Sequence, residues 1–209
     1  MQQKSEEQLN QEKKIRQQKP IQLYEYNPIW PKLAEQSAKE LKEIMMPDLD
    51  NDPKIKGFQH IGSTSIKGMA GTRFIDLAVM VKDVPLSNEV SQNLKKNGYL
   101  DLGMDHMDGG QWFQKRNEDQ DFDKVGEAVV IHAFAGEKGL QSFKQFIAFR
   151  DYLNHDEKAK NQYLFVKKSL EKENQPFIGY KKKKSEFVKQ ISEESVKWAD
   201  KNNLWEKYK

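Results

Sequence analysis

The sequence predicts an α+β fold, in which a small mixed β-sheet is flanked by helices and the C-terminal third of the chain is helical. Residues 73–81 (RFIDLAVMV) are apolar on both faces, which is typical of a strand in the middle of a sheet. From Gly139 onward the apolar residues fall at helical spacing. Strand-like and helical patterns alternate before that point, so we expect one sheet with helices packed around it.

The composition excludes several classes of protein. Of the 209 residues, 36% are hydrophobic and 32% are charged, and no apolar run is long enough to cross a membrane. The absence of cysteine excludes disulfides, thiolate zinc sites and a thiol nucleophile. A net charge of +3 is too small to predict nucleic-acid binding. With no hydrophobic signal region at the N-terminus, we expect a cytoplasmic location, which includes a cytoskeletal assembly.

The N-terminal residues differ from the rest of the chain. Residues 1–19 are mostly Gln, Lys and Glu with almost no apolar periodicity, and we expect a charged, flexible tail. An exposed helix and a docking segment for a protein partner are the alternatives. Residues 20–209 are expected to form a single domain.

The first half of this domain begins with residues 21–26 (IQLYEY), whose alternation indicates a half-buried strand. Asn27 and Pro28 then predict a helix start, as N-cap and first helical residue, and Pro47 predicts its end. Residues 48–56 are predicted to form a polar loop before the central strand.

Further patterns predict a helix, short strands and a turn-rich loop before the helical third. The helix is predicted at 84–97, strands at 99–102, 111–116 and 124–135, and the loop at 103–110.

Three helical faces are predicted in the C-terminal third, with a break at residues 174–176 (NQP) after the second. Their members are Leu140, Phe143, Ile147 and Arg150; Ala159, Tyr163, Val166 and Leu170; and Val188, Ile191, Ser195 and Trp198.

Residues 58–81 (FQHIGSTSIKGMAGTRFIDLAVMV) concentrate the unusual chemistry of the chain. The turn Gly62-Ser63-Thr64-Ser65 combines a glycine, which lets the backbone approach a ligand closely, with hydroxyl donors suited to phosphate oxygens. Asp76 interrupts the apolar strand and needs a cation, a donor or a metal as its partner. The sequence therefore predicts that turn and carboxylate face one ligand, with a capped strand-to-helix turn as the structural alternative.

These residues resemble the GrpB family, which is placed in the nucleotidyltransferase fold. The resemblance starts from HIGSTSIKG (60–68) followed by FIDLAVMV (74–81), and it extends over roughly residues 20–200 in order. The other matching residues are Tyr26 with Trp30-Pro31, the strand at Ile131–Phe134, the helix at Phe149–Leu153, Tyr163 with Lys167 or Lys168, Tyr180 with Lys184, and Trp198.

The resemblance implies a nucleotide or another phosphorylated small molecule as ligand, and Mg²⁺ as cofactor. Active nucleotidyltransferases of this fold grip the triphosphate with a Gly-Ser turn and hold two magnesium ions with an Asp-x-Asp on the next strand. In this chain Gly62-Ser63 and Asp76 are present, but the second carboxylate is replaced by Ala78. One carboxylate with phosphate oxygens and waters is still able to hold one magnesium.

The sequence departs from the family pattern in three further places. Gly71-Thr72-Arg73 replaces Ala-Lys-Pro, so that Arg73 supplies the positive charge from the neighbouring position. Val130-Ile131-His132 replaces His-Leu-His, and Ile66-Lys67-Gly68 replaces Val-Pro-Gly.

The candidate site consists of two sets of residues. Asp76 and His132 are the candidate catalytic residues, and Asp76 is the candidate metal ligand. The candidate ligand-binding residues are His60, Gly62, Ser63, Thr64, Lys67 and Arg73. His132 is equally well explained as a hydrogen-bonded core histidine.

Other polar residues have simpler explanations. Glu127 is a conceivable replacement ligand, but the cluster Asp101, Asp105, His106 and Asp108 is more typical of a turn. Arg150 and Asp151 are expected to form an interhelical ion pair, with anion binding by Arg150 as the alternative.

Three functions follow, in decreasing order of support. The first is nucleotide binding with nucleotidyl transfer, impaired by Ala78. The second is a non-catalytic interaction or scaffold module in a larger assembly. The third is nucleic-acid binding through residues 181–184 (KKKK), which a solvated helix start explains more simply.

Overall fold

The computed structural model describes residues 18–50, 57–105, 108–117, 126–174 and 176–208. The predicted tail at residues 1–19 lies almost entirely outside the described residues. Short 3-10 turns occur at Met46–Asp48, Ser63–Ser65 and Leu204–Tyr208. The helices and strands are, in chain order, α1 (Trp30–Met45), β1 (Gln59–Ile61), β2 (Phe74–Met80), α2 (Asn88–Lys96), β3 (Leu100–Asp105), β4 (Gly110–Arg116), β5 (Ala128–Phe134), α3 (Gly136–His155), α4 (Glu157–Lys172) and α5 (Phe177–Lys201).

The strands of the described residues form one mixed sheet in the order β1-β2-β5-β4-β3. β2 runs parallel to β5, and every other neighbouring pair is antiparallel. β2 is hydrogen-bonded on both sides, so the prediction of a middle strand at residues 73–81 is confirmed. The predicted fold class, an α+β fold with a small mixed sheet flanked by helices and a helical C-terminal third, is also confirmed.

Helices cover both faces of the sheet. α1 and α2 pack on the face that carries Ile75, Leu77 and Val79 of β2, and these residues are buried in the largest apolar cluster. The opposite face carries Ala78 and Met80 and packs against α3 and α5. Because side chains alternate along a strand, Asp76 must lie on this second face.

A third apolar cluster ties the glycine-containing turn to the C-terminal helices. Ile66 and Met69, which follow the turn, are fully buried against Leu153, Tyr163 and Ile191 from α3, α4 and α5. The turn is therefore held between the sheet and helices that come much later in the sequence.

Residues 21–26 do not form the predicted strand. The Tyr24 N–H donates to the Gly71 carbonyl at 2.8 Å, and the Gly71 N–H donates to the Tyr24 carbonyl at 2.9 Å. Pro20 forms an isolated bridge with Pro176. The sheet edge is occupied instead by β1, a three-residue strand that the sequence pattern did not predict. Segment 21–26 thus pairs with the loop before β2 rather than with the sheet.

Several predicted boundaries are shifted by local hydrogen bonds. The first helix starts at Trp30, because the Asn27 Oδ1 atom accepts the Ile29 N–H at 3.0 Å and forms a turn before it. The predicted 84–97 helix starts at Asn88, where the Ser87 Oγ atom accepts the Val90 N–H at 3.3 Å.

Part of the predicted loop at 103–110 is strand. β3 continues to Asp105 because a bulge between Asp101 and Gly103, with a φ of +91° at the glycine, absorbs one residue. β4 then starts at Gly110. Residues 51–56 of the predicted loop 48–56, and the first two residues of the predicted strand 124–135, lie outside the described residues.

Arg150 anchors the C-terminal end of the chain to the sheet edge. Its Nε atom donates to Asp151 Oδ1 at 2.7 Å and its Nη1 atom to the His60 carbonyl at 2.9 Å, while Nη2 donates to the Tyr208 hydroxyl. The predicted ion pair with Asp151 is therefore present, but it lies within α3 and does not join two helices. No helix in the described part of the chain is both long and apolar enough to cross a membrane.

Candidate functional site

Asp76 is the one charged residue of β2, and its side chain is about a quarter exposed, at 25%. Ile61 of β1 and Val130 of β5 are its register partners, so the carboxylate lies between two apolar neighbours on the sheet. A carboxylate in these surroundings requires partners. Those partners come from β5 and from the turn after β1.

His132 is the first partner. Its Nε2 atom lies 3.1 Å from Asp76 Oδ1, and its side chain is only 6% exposed. The register places His132 directly beside Ala78, the position of the missing second carboxylate. The imidazole therefore occupies the strand next to that position and reaches back to Asp76. Ala78 itself is completely buried in the apolar cluster under α3.

Gly62 packs against the other carboxylate oxygen. With φ +72° and ψ −173°, it adopts a conformation that is essentially restricted to glycine. A Cβ atom at this position would lie 2.5 Å from Asp76 Oδ2, so a side chain is also excluded by contact. The predicted juxtaposition of the glycine turn and the carboxylate is therefore seen in the structure.

The hydroxyl groups of the turn have different surroundings. The Ser65 hydroxyl donates to the Gly62 carbonyl at 2.6 Å and closes the turn. The Ser63 Oγ atom lies beside Gly71, where a Cβ atom would approach it to 2.9 Å. Two glycines thus allow the turn to contact both the carboxylate and the loop before β2.

Thr64 and His60 form a hydrogen-bonded pair under the turn. The fully buried Thr64 hydroxyl donates to the Phe74 carbonyl at 2.8 Å, so its oxygen accepts from His60 Nε2 at 2.9 Å. Burial lowers the pKa of His60 to about 4; nearby Asp76 opposes this shift and Arg150 adds to it. Both predicted ligand-binding residues therefore support the turn from within the protein.

Two lysines that were not predicted as site residues lie in the electrostatic field of Asp76. Lys167 of α4 is 2% exposed and donates from Nζ to the Ala70 carbonyl, in the loop before β2. Lys184 of α5 is half-buried. Burial lowers the pKa of both ammonium groups, and the Asp76 carboxylate opposes the shift in each.

Buried tyrosines accompany these lysines. The Lys167 Nζ atom lies 5.4 Å from the ring centroid of Tyr163, and the Lys184 Nζ atom lies 5.9 Å from that of Tyr180. Burial raises the pKa of both tyrosines. The Tyr-and-Lys spacing of the family resemblance was the signal that could have identified this second half of the site.

Lys67 and Arg73, also predicted to bind the ligand, make contacts with other parts of the protein. The Lys67 side chain is exposed, and its backbone N–H donates to Asn154 Oδ1 at 2.9 Å. The Arg73 guanidinium stacks on the Tyr24 ring at 3.4 Å, and the residue has a φ of +63°. Arg73 thus joins segment 21–26 to the start of β2.

The replacement ligands considered from the sequence lie elsewhere. Glu127 pairs with Arg116, with 2.7 Å between Oε1 and Nη1. Asp101 accepts from the Gly103 N–H and from Gln111 Nε2. His106 lies outside the described residues.

Among the described residues, Asp76 is the one carboxylate that the proposed site offers to magnesium. Among the described residues no three His, Asp or Glu side chains converge on a common point. Mg²⁺ is usually held by one or two carboxylates together with substrate phosphates and waters. Asp76 therefore fits a magnesium ion that a phosphate ligand brings with it, and the described residues do not form an all-protein metal site.

Known proteins resemble this chain over most of its length. The family model described as "GrpB protein" matches residues 20–194. The "Glutamate-rich protein GrpB" of Alkalihalophilus pseudofirmus is 30% identical over 169 residues, which are 79% of this chain and 90% of that protein. YqkA of Bacillus subtilis is 27% identical over 88% of this chain, which spans 49% of YqkA.

A solved structure shares the fold. The crystal structure of the conserved protein GrpB from Enterococcus faecalis matches with a TM-score of 0.69 and 24% sequence identity. The match covers 84% of this chain and 98% of that one.

The contact between Gly62 and Asp76 predicts a large effect of Gly62→Ala. Backbone strain and the approach to Asp76 Oδ2 together are expected to lower the free energy of unfolding by about 3 kcal/mol or more. Gly68→Ala is the control: Gly68 also has a positive φ, +78°, but a Cβ there would meet nothing within 4 Å. Urea unfolding of both variants measures the difference, and equal losses would contradict the contact.

The lowered pKa of the partly buried His60 predicts that the stability of the protein depends on pH. Between pH 6.5 and 4 the unfolded chain binds a proton that folded His60 does not, so the free energy of unfolding falls as the pH is lowered. The loss over this window is of order 2–3 kcal/mol. His60→Gln retains a donor for Thr64 without titrating, so its unfolding free energy should fall less between pH 7 and pH 4.5. Parallel curves for the two proteins would exclude His60 as the cause.

Proposed function

This chain belongs to the GrpB family, and we propose that its domain binds a nucleotide or another phosphorylated small molecule at the Asp76 site. The observation that carries the proposal is the position of Lys184. The Lys184 Nζ atom lies 5.9 Å from the Tyr180 ring centroid, and its half-buried ammonium group lies in the electrostatic field of Asp76, as does that of Lys167. Two lysines thus lie in the field of one strand carboxylate, which also contacts the His132 imidazole.

The charge of Lys167 is partly compensated within the protein. Its ammonium group donates to the Ala70 carbonyl and lies in the field of Glu171, whose carboxylate also accepts the Leu23 N–H at 2.5 Å. For Lys184, Asp76 is the carboxylate that favours its charged form. An anion beside Lys184 offsets the cost of burying its charge, and phosphate is the anion that suits a glycine turn and an ammonium group.

The glycine turn gives the ligand access to the carboxylate. Because Gly62 lacks a side chain, the backbone of the turn lies against Asp76, and an anion bound at the turn lies close to Asp76 Oδ2. A phosphate there requires a cation between it and the carboxylate. Lys184 is one such cation, and magnesium held jointly by Asp76 and the phosphate oxygens is another. When bound, the ion neutralises charge on the transferring phosphoryl group.

The same geometry argues against efficient two-metal nucleotidyl transfer. The position for a second carboxylate is Ala78, which is fully buried among apolar residues, and the adjacent position on β5 is His132. In the proposed site His132 positions the Asp76 carboxylate through its Nε2 atom. The site therefore favours ligand binding over transfer, and any transfer is expected to be slow.

A non-catalytic module is the second candidate function. The observation in its favour is the apolar packing around Ala78, which fills the place of a catalytic carboxylate instead of leaving it open. Such a module still binds the ligand if Lys167 and Lys184 contact it. It does not bind the ligand if these lysines only stabilise the fold.

Binding measurements with matched lysine variants test the proposal. Calorimetry of the wild type with ATP, GTP, CTP, UTP and inorganic tripolyphosphate, with and without Mg²⁺, should detect binding of at least one compound. Lys184→Met should weaken that binding roughly 10- to 100-fold, which corresponds to the loss of one charged hydrogen bond. Asp76→Asn should remove any gain that Mg²⁺ gives.

Lys183→Met is the control for the lysine variant. Lys183 lies on the same helix and carries the same charge, but it is exposed and paired with Glu173 at 2.5 Å. Its variant should bind like the wild type. Absence of binding to all five compounds, or equal weakening by both lysine variants, would contradict the proposed function.

A further inference from the structure

The site face of the sheet continues beyond His132 to a residue that the proposed phosphate site does not use. Trp112 of β4 is the register partner of His132, and its ring centroid lies 4.3 Å from that of the imidazole. β4 lies two strands away from β2, which is about 10 Å at ordinary strand spacing. This separation is comparable with the reach of a nucleotide from its phosphates to its sugar and base.

Two buried nitrogen atoms at this position lack partners. Trp112 Nε1 and His132 Nδ1 are both buried, and within the described ranges neither has a hydrogen-bond partner. His132 as a whole residue is 5% exposed. Buried polar atoms of folded proteins are nearly always hydrogen-bonded, so two exceptions on rings in contact require an explanation.

Charged groups lie next to the two rings. The Lys181 Nζ atom of α5 is 5.6 Å from the centroid of the Trp112 indole. Asp108, at the start of the turn into β4, lies in the electrostatic field of both Lys181 and His132. Lys181 and Lys184 are one helical turn apart on α5, with Lys181 next to Trp112 and Lys184 in the electrostatic field of Asp76.

We propose that Trp112, His132, Lys181 and Asp108 form a subsite for the nucleoside part of the ligand, in which Trp112 Nε1 donates a hydrogen bond to the sugar or the base. This inference rests on the proposed function, because it identifies the phosphorylated ligand as a nucleotide. The indole N–H can only donate, and it therefore requires an acceptor. Sugar hydroxyls, ring nitrogens and exocyclic carbonyl groups all provide one.

The proposal explains why a tryptophan is placed beside the histidine. An apolar ring such as phenylalanine would also pack beside the histidine, without a buried N–H group that lacks an acceptor. The indole N–H is therefore a cost in the free protein that the bound nucleoside repays. His132 joins the two parts of the site, because Nε2 contacts Asp76 and Nδ1 belongs to the subsite.

The test compares two tryptophan-to-phenylalanine variants. Trp112→Phe removes the unpartnered indole N–H, whereas Trp205→Phe removes one that donates to Asp200 Oδ1 at 2.9 Å, on the C-terminal side of α5. Affinities are measured for the nucleoside triphosphate that binds best and for inorganic tripolyphosphate, and thermal unfolding is measured without ligand.

The expected results differ between the two ligands and between the two variants. Trp112→Phe should weaken nucleoside triphosphate binding about 3- to 10-fold, as expected for one neutral hydrogen bond, and should leave tripolyphosphate binding within twofold of the wild type. Without ligand it should still unfold in one cooperative transition, which shows that a change in affinity is not caused by loss of the fold. Trp205→Phe should leave both affinities unchanged.

Other outcomes overturn the inference. If Trp112→Phe weakens neither ligand, or both equally, the nucleoside does not bind at Trp112, although the proposed phosphate site stands. If Trp112→Phe lowers the unfolding temperature without ligand and weakens tripolyphosphate binding as strongly as nucleoside triphosphate binding, the indole supports the fold and the subsite is wrong. If neither compound binds the wild type, the proposed function fails and the subsite fails with it.

Discussion

The Asp76 carboxylate lies between the imidazole of His132 and the backbone of Gly62, which has no side chain. This arrangement constrains much of the surrounding structure. Oδ1 is 3.1 Å from His132 Nε2, and Oδ2 occupies the space that a Cβ atom of Gly62 would need. The antiparallel pairing of Ile61 with Asp76 sets this contact, because it brings the residue after β1 alongside the carboxylate. A charged group on an otherwise apolar strand is tolerated only with such partners.

The C-terminal helices supply the opposite charge. Lys167 and Lys184 come from α4 and α5, which pack over the turn through an apolar cluster that includes Met69 and Tyr163. The lysines are therefore positioned by hydrophobic packing rather than by local sequence. The carboxylate and the glycines therefore come from the sheet and its adjoining turns, and the cations come from the helices. A ligand at their junction would contact both halves of the domain.

The parts of the fold with a strong local signal were predictable from the sequence. The apolar run of β2, the glycines of the turn and the helical spacing after Gly139 each carry enough residues for the pattern to be recognised. β1 was missed because three residues are too few to show alternation. Residues 21–26 alternate as a strand does, but their partner is the loop at Gly71. Local pattern alone does not identify the partner of a strand.

The site was predictable only in part, for a related reason. Gly62, Asp76 and His132 stand out because they are unusual in an apolar strand or turn. Lysines on a helix are ordinary in sequence, and only tertiary packing distinguishes half-buried Lys184, in the field of Asp76, from exposed Lys183. Thr64 was expected to contact the ligand, but its single proton is donated to the Phe74 carbonyl. A hydroxyl in a ligand-binding motif can already have its hydrogen-bond partners within the protein.

A phosphate group is proposed to bind between the Gly62 turn and Lys184, next to Asp76. A crystal structure of the protein grown with a nucleoside triphosphate and Mg²⁺ would locate this phosphate. We expect phosphate oxygens within hydrogen-bond distance of Lys184 Nζ and of the Gly62–Ser63 backbone. A ligand bound elsewhere, or a direct ion pair between Lys184 and Asp76 that persists with the nucleotide present, would contradict phosphate binding at this position.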